Sequence, residues 1–239
     1  MQTGYYSAAA GMVAQFSRLD NIANNLANVN TTGFKEDNLV VGDFMRVFKE
    51  ARDKLPHPNH SEAGAQFLNR AMTKAPQIVE QYTDHSIGSM QKTNNQLDFA
   101  LAKEGLFFAV KTPNGVRLTR DGSFTTNDEG TLVTKQGYEV LPSTYFASGG
   151  NVSFATEENI IELDKNGQIY TNLPNSIQMG IGTKLFIAQP ESINLLTKEG
   201  DNLYKYEGSG ELNNIEESGA VLQGFVEKSV QESFKARAS

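Results

Sequence analysis

The first 34 residues carry a hydrophobic pattern that differs from the rest of the chain. Apolar residues recur there at alternating spacings of four and three, the 3.5-residue repeat of a coiled-coil seam. The seam positions are Tyr5, Ala9, Met12, Phe16, Leu19, Ala23 and Leu26. The pattern stops at Asn30, and Gly33 can adopt the positive φ of a helix C-cap. It predicts one long helix from about residue 3 to about residue 30.

The helix face opposite the seam is rich in asparagine and almost free of charge. It carries Asn21, Asn24, Asn25 and Asn28, although asparagine is a poor helix former. Uncharged amides suit a face packed against other protein, where a charged group would cost desolvation free energy. We therefore interpret the helix as an assembly element; the alternative is an ordinary core helix of a globular domain.

Residues 36–95 have mixed character and are interpreted as a connecting arm. Helical spacing over residues 42–54 is broken by the Pro-containing residues 55–60, and a second short helix is expected within residues 61–72. Residues 77–82 have a β-like pattern.

From residue 96 to residue 227 the pattern changes to short strands separated by turns. Residues 106–110 and 116–120 flank Asn114-Gly115, a strong hairpin signal, and residues 160–163 and 168–170 flank a similar turn. Further strands are predicted at residues 132–133, 138–141, 184–188, 203–206 and 221–227. The predicted domains are a helical assembly segment at 1–35, a connecting arm at 36–95, a β-rich body at 96–227 and a short tail at 228–239.

These patterns predict the α+β fold class, with a long N-terminal coiled-coil-type helix and a mainly antiparallel β body. Composition then narrows the function. The net charge is -7 and the pI is near 5.1, which argues against nucleic acid as a partner because phosphate binding needs a basic face. No run of 18 apolar residues is present, so no membrane insertion is expected. The N-terminus lacks the basic and apolar regions of a cleaved signal peptide.

The sequence offers little catalytic chemistry. With no cysteine there is no thiolate nucleophile or disulfide, and no His-Glu-x-x-His, P-loop or Gly-x-Ser-x-Gly motif occurs. His57 and His60 lie in the Pro-rich break, so their spacing does not form a metal site on a helix. Arg117, Arg120, Asp121 and Ser123 are interpreted as strand-edge polar residues beside a turn. We predict no catalytic, cofactor-binding or metal-binding residue.

Residues 22–35, IANNLANVNTTGFK, closely resemble the N-terminal signature of flagellar rod and hook proteins. Residues 94–101 and 118–124 resemble the β core of the same family, and the resemblance covers nearly the whole chain. The signature positions are Asn24, Asn25, Leu26, Ala27, Asn28, Gly33 and Phe34. The proximal rod type is favoured over the distal type, because residues 43–80 are charged and helix-like instead of Gly-rich.

The resemblance implies a non-enzymatic subunit of the basal-body rod that polymerises through its N-terminal helix into the axial drive shaft and transmits torque. The implied partners are self or homologous subunits, other rod and hook-family axial proteins, and the flagellar type III export apparatus. The implied location is the periplasm-spanning rod, reached without a cleaved signal peptide. In this family a long helix follows the strand that ends near Glu227, and residues 228–239 are expected to form a short tail in its place.

Two alternatives differ in function. One is a subunit of the hook or another flagellar axial protein. The other is a β-rich binding or enzymatic domain that carries a helical dimerisation arm.

Overall fold

The computed structural model describes residues 2–43, 76–154, 160–164, 168–172, 183–208, 212–215 and 219–229. These residues form one N-terminal helix and a set of antiparallel strands, which confirms the α+β class with a mostly antiparallel β body. The chain divides into two compact units. We call residues 1–27 and 36–84 the helix unit, and residues 28–35 and 85–239 the body unit.

The helix unit contains α1 (Gln2–Ala27) and a ribbon of two strands, β1 (Asp37–Asp43) and β2 (Pro76–Thr83). The strands pair antiparallel from Asp37 opposite Thr83 to Asp43 opposite Pro76, with an irregularity between Val40 and Val41. Helix α1 lies against both strands.

Two expectations for this region need correction. The helical spacing assigned from Gly42 onward is wrong at its start, because Gly42 and Asp43 lie in β1. The rest of that pattern and the short helix expected within 61–72 fall outside the described residues. The β-like pattern at residues 77–82 is confirmed by β2.

The predicted end of the N-terminal helix is also corrected. Helix α1 ends at Ala27, and a turn follows in which Thr31 N donates a hydrogen bond to Asn28 O (3.0 Å). Gly33 has the expected positive φ of 67°. It does not cap the helix, because it lies beyond this turn and packs on the β body.

All strand pairs among the described residues of the body unit are antiparallel. Seven strands of its main sheet follow the order β14-β15-β6-β5-β9-β8-β7; in addition β13 pairs with β5, and β16 pairs with β13. Strands β10, β11 and β12 form a second sheet, and β17–β4 and β18–β3 form two ribbons. Their bounds are β3 Met90–Lys92, β4 Phe99–Leu101, β5 Phe107–Thr112, β6 Gly115–Thr119, β7 Phe124–Thr126, β8 Leu132–Thr134, β9 Glu139–Val140, β10 Ile160–Leu163, β11 Gln168–Asn172, β12 Thr183–Lys184, β13 Ile187–Gln189, β14 Leu196–Gly200, β15 Leu203–Tyr206, β16 Asn213–Asn214, β17 Val221–Gln223 and β18 Phe225–Glu227. A four-residue helix, α2 (Tyr145–Ser148), and a 3-10 turn (Ile193–Leu195) complete the described elements.

Strand β5 separates two apolar layers, because successive side chains of a strand point to opposite faces. Phe108 and Val110 belong to the larger layer, where the ring of Phe108 packs edge-on against Phe124 at 5.2 Å. Phe107 and Ala109 belong to the smaller layer, together with Tyr204. Both predicted hairpins, β5–β6 and β10–β11, are confirmed.

Two predicted strands are each divided in the structure. Residues 184–188 contribute to β12 and β13, which pair with different strands. Residues 221–227 are interrupted at Gly224, whose φ is 74°, so that β17 pairs with β4 and β18 pairs with β3. The positive φ at Gly224 turns the chain, so the single predicted strand becomes two strands in two different ribbons.

Candidate assembly surface and its anchor

Helix α1 presents a broad apolar face that is exposed. Six large apolar side chains on it are between 49% and 63% exposed: Met12, Val13, Phe16, Leu19, Ile22 and Leu26. Four of these are predicted seam residues, and the seam alanines Ala9 and Ala23 are exposed as well; the side chain of Tyr5 lies outside the described part. Contiguous exposed apolar patches are typical of interaction surfaces, so this face is the candidate assembly surface.

The amide-rich face of α1 packs on the ribbon of the same chain. Asn25 is buried, and its Nδ2 donates to Asp37 O (2.8 Å) and to Asn21 Oδ1 (2.8 Å). The Asp37 N–H donates in return to Asn25 Oδ1 (3.2 Å). The Asn25 amide therefore satisfies both backbone groups of Asp37, as a neighbouring strand would.

The end of the family signature is held in the body unit. Thr32 Oγ1 donates to Asp121 Oδ1 (2.7 Å), and Asn202 Nδ2 donates to Thr32 O (2.9 Å). The Gly33 N–H donates to Glu227 O (2.8 Å). Residues 28–35 thus belong to the body unit although they directly follow the helix in sequence.

Gly33 is required by its close contact with the body. A Cβ atom at this position would lie 2.4 Å from Asp121 N and 2.5 Å from Arg120 C, which are backbone atoms that cannot move aside easily. The positive φ of 67° disfavours other residues independently of the space.

Phe34 and Lys35, which follow Gly33, are also held in the body unit. Both residues are buried, and Lys198 Nζ lies 4.8 Å from the centroid of the Phe34 ring. The same Nζ donates to Lys35 O (2.6 Å). The ammonium group therefore fixes one backbone carbonyl and covers one aromatic ring.

A buried ionic network joins residue 35 to the last described strand. Lys35 Nζ and Arg120 Nη2 lie 2.5 Å and 2.6 Å from the two carboxylate oxygens of Glu227, and all three side chains are at most 2% exposed. The Gly88 N–H also donates to Glu227 Oε1 (2.8 Å), and Lys35 Nζ donates to Ser86 O. We call Lys35, Arg120 and Glu227 the charge triad.

Arg120 uses all of its donors within this site. Its Nε and Nη2 bind Glu227, and its remaining N–H groups donate to the backbone carbonyls of Leu101, Lys103 and Leu106. A guanidinium has five N–H donors, so each finds an acceptor here. A buried charge is tolerated only when it is paired and hydrogen-bonded, so each of the three charged groups must keep its position. The network therefore fixes residue 35 against Arg120 and Glu227 of the body unit.

The strand-edge interpretation of Arg120 and its neighbours is therefore wrong. Arg120 is buried, and Arg117 pairs with Glu199 (2.5 Å). Burial raises the pKa of the Asp121 carboxyl, although hydrogen bonds from Thr32 and Ser123 act in the opposite direction. Arg117, Arg120 and Asp121 bind the side chains of Glu199, Glu227 and Thr32, which lie 82, 107 and 89 residues away in the sequence.

Metal and membrane chemistry find no support within the ranges that the structure describes. No group of three His, Cys, Asp or Glu side chains there could hold a metal ion, and no helix is long and apolar enough to cross a membrane. His57 and His60 lie outside those ranges. His85 packs against the rings of Phe107 and Tyr204.

Helix α1 presents an exposed apolar face, and the body unit holds residues 28–35 through a buried ionic network; these features indicate a subunit of a protein assembly. Comparison with known proteins specifies the class. The family described as "Flagella basal body rod protein" matches residues 6–35, and the family described as "Flagellar hook protein FlgE/F/G D1 domain" matches residues 104–171.

Individual relatives agree with these matches. The chain is 33% identical over 246 residues to the flagellar basal-body rod protein FlgG of Borreliella burgdorferi, covering 96% of this chain and 84% of the relative. It is 32% identical over 200 residues to FlgG of Buchnera aphidicola, covering 83% and 72%. It is 31% identical over 205 residues to the rod protein FlgF of Caulobacter vibrioides, covering 86% and 73%.

The chain belongs to the flagellar basal-body rod protein family, and it is a structural rod subunit, not an enzyme. This confirms the family predicted from residues 22–35, and a proximal rod subunit fits these relatives. Sequence reasoning did not identify the charge triad. Its only signal was the placement of Lys35 at the end of the signature and of Glu227 at the end of the last predicted strand.

Proposed function

We propose that this subunit polymerises through the exposed apolar face of α1 into the axial drive shaft of the rod, which transmits torque. The observation that carries the proposal is the row of exposed large apolar side chains that includes Met12, Phe16, Leu19 and Leu26. Burying one such side chain fully contributes about 1.5–3 kcal/mol. Covering the whole face therefore offers on the order of 5–10 kcal/mol before the entropy of association is subtracted.

The 3.5-residue spacing of the seam supports a coiled-coil type of contact between α1 and another helix. Family membership supports self or homologous subunits, other rod proteins and hook-family axial proteins as the partners. Such contacts repeat from subunit to subunit without closing, and they build a helical shaft. In this proposal the seven predicted seam positions, Tyr5 to Leu26, are the assembly interface.

The signature residues divide between two tasks in this proposal. Asn25 holds the ribbon on α1, while Gly33 and Phe34 hold the following segment in the body. Asn24, Leu26 and Ala27 are exposed, and of these Leu26 is a predicted seam position that would contact a neighbouring subunit. The predicted division into an assembly segment, an arm, a body and a tail remains a proposal about function; the compact units of the structure place residues 28–35 with the body and residues 36–84 with the helix.

Family membership also supports the location and the route. We place the subunit in the periplasm-spanning part of the basal body and propose the flagellar type III export apparatus as a further partner. Export without a cleaved signal peptide stays a prediction.

The proposal is tested by Leu19→Asp and Leu26→Asp, each introduced as the only copy of the gene. A carboxylate would have to be buried in the packed helical layer, so we expect no rods in isolated basal bodies and no motility. Far-ultraviolet circular dichroism should show that the β body still folds. Asn30→Asp, an exposed change just beyond the helix, is the matched control and should assemble normally.

Motile cells that carry either leucine variant would disprove the role of the α1 face. A tagged wild-type copy found in the hook and absent from the rod would favour the hook alternative instead. Glycan retention or hydrolytic activity of the purified chain would favour the binding or enzymatic alternative.

A further inference from the structure

The only charged residues of α1, Arg18 and Asp20, are placed on opposite flanks of its apolar face. Consecutive residues of an α-helix are about 100° apart around the axis. Arg18 and Asp20 therefore point to the two sides of the exposed residue Leu19. Both are exposed, and neither forms an ion pair within the part of the chain that the structure describes.

A polar cleft opens on the flank that carries Asp20. It has a volume of about 390 Å³ and lies between α1 and the ribbon. Its lining includes the carboxylates of Asp20 and Asp37 and the amides of Asn21, Asn24 and Gln81, with no lysine or arginine. Asp37 Oδ1 accepts from Thr83 Oγ1 (2.6 Å), so Asp20 is the main anion of the cleft. Its carboxylate and the surrounding amide oxygens suit a guanidinium, which offers five donors and a permanent positive charge.

We propose that the α1 helices of successive copies of this chain lie side by side and parallel, with Arg18 of one copy in the Asp20 cleft of the next. The inference rests on the assembly proposed above and names its neighbour as a second copy. Charge complementarity carries the argument, because each helix offers a cation on one flank and an acidic cleft on the other. Such a contact is heterologous and repeats from copy to copy.

The positions of the two charges fit an array of helices better than a closed pair. They lie about 160–200° apart around the helix, so a helix can be contacted on both sides at once. A two-fold pair formed through the apolar face would leave both charges at its margins. Arg18 and Asp20 are also only about 3 Å apart along the axis, so a small stagger between parallel copies brings them together.

Charge reversal tests the pairing in the full chain, expressed as the only copy. Arg18→Glu places an acidic side chain at an acidic cleft, and Asp20→Arg places two arginines together; like charges at an interface cost several kcal/mol, so each should lower the yield of rods about tenfold or more. The combined variant R18E/D20R restores opposite charges and should recover most of the yield. Assembly that is unaffected by either single reversal, or a double variant no better than the singles, overturns the proposal.

The absence of cysteine in this sequence permits a direct geometric test. The double variant R18C/D20C, treated with a short bis-maleimide in isolated basal bodies, should give a ladder of covalent oligomers. R18C or D20C alone should give none, because the contact joins different positions. Asp128→Cys, in an exposed turn of the body, measures random collisions.

Dimers formed by either single cysteine would show a two-fold contact and overturn the proposal. Products that link this chain only to a different protein would overturn it as well. Leu19→Asp separates the two levels of inference: if it prevents assembly while the charge variants have no effect, the rod function stands and this pairing fails. If Leu19→Asp assembles normally, the proposed use of α1 itself fails.

Discussion

Replacing Glu227 by glutamine should strongly destabilise the body unit. The substitution keeps the shape of the side chain but removes the only negative charge of the triad, so the buried cations of Lys35 and Arg120 lose the carboxylate that they share. Breaking a buried pair by removing one partner costs about 3–5 kcal/mol. A loss of this size is a large part of the roughly 5–15 kcal/mol that stabilises a typical folded protein.

The triad also predicts an order among its variants. Lys35→Met removes one of two cations and leaves a neutral Arg120–Glu227 pair, so its main cost is that Ser86 O and one Glu227 oxygen each lose a donor. K35M leaves no excess buried charge, whereas E227Q leaves two buried cations without the carboxylate that they share, so K35M should be less destabilising than E227Q. Counting broken contacts alone does not predict that E227Q is more destabilising than K35M; the order follows from the buried charges.

The assay is urea unfolding of the full chain, followed by near-ultraviolet circular dichroism. With no tryptophan present, the signal comes largely from tyrosines of the body unit such as Tyr204. Glu129→Gln, an exposed change in a turn, is the control and should stay within about 0.5 kcal/mol of the parent. An E227Q variant within about 1 kcal/mol of the parent, or one more stable than K35M, would refute the reasoning.

Three further predictions concern the Asp121 carboxyl, Gly33 and the Asn25 amide. Burial raises the pKa of Asp121, so its contribution to stability is greatest when it is protonated and is lost as the pH rises through the folded-state pKa. In urea unfolding the parent should therefore lose stability relative to Asp121→Asn as the pH rises from acid to neutral, and equal pH dependence of the two proteins would contradict this. Gly33→Ala should lower the free energy of unfolding by more than Gly137→Ala, because both have positive φ, which costs about 1–2 kcal/mol, but an added Cβ meets backbone only at Gly33; equal effects would contradict this. Asn25→Ala should cost about 1–3 kcal/mol within the helix unit and speed hydrogen exchange at the Asp37 amide, whereas Asn30→Ala should change neither.

The parts of the fold that the sequence predicts are those with local signals. The β5–β6 hairpin closes through Asn114-Gly115, so its turn and both strands lie within a dozen residues or so. The α1 helix is likewise predicted by the spacing of its own apolar residues, and the structure shows that its apolar face is exposed. Whether the seam residues contact a partner stays a prediction.

The parts that the sequence does not predict depend on distant partners. Strand β1 pairs with β2 across residues 44–75, and no local turn signal announces the pairing. The amide face of α1 is expected to meet other protein, and at Asn25 that protein is the ribbon of the same chain.

The charge triad is the clearest case of a long-range feature. Glu227 is 192 residues from Lys35 and 107 residues from Arg120. Charged residues are rarely buried unless they are paired, so each of the three resembles a surface residue when it is considered alone. Only the folded arrangement reveals why an arginine beside a turn is sheltered from water.

The position of the triad has a mechanical consequence. Residue 35 leads to the segment that begins the chain, and residue 227 lies on the last described strand, yet their side chains meet at 2.5 Å. A pull applied to the chain at these two points is borne first by an ionic contact and by the neighbouring Gly33–Glu227 hydrogen bond. The load then passes through these contacts near Glu227 and not through the apolar layers around β5, so the body unit can keep its packing while the chain is under tension.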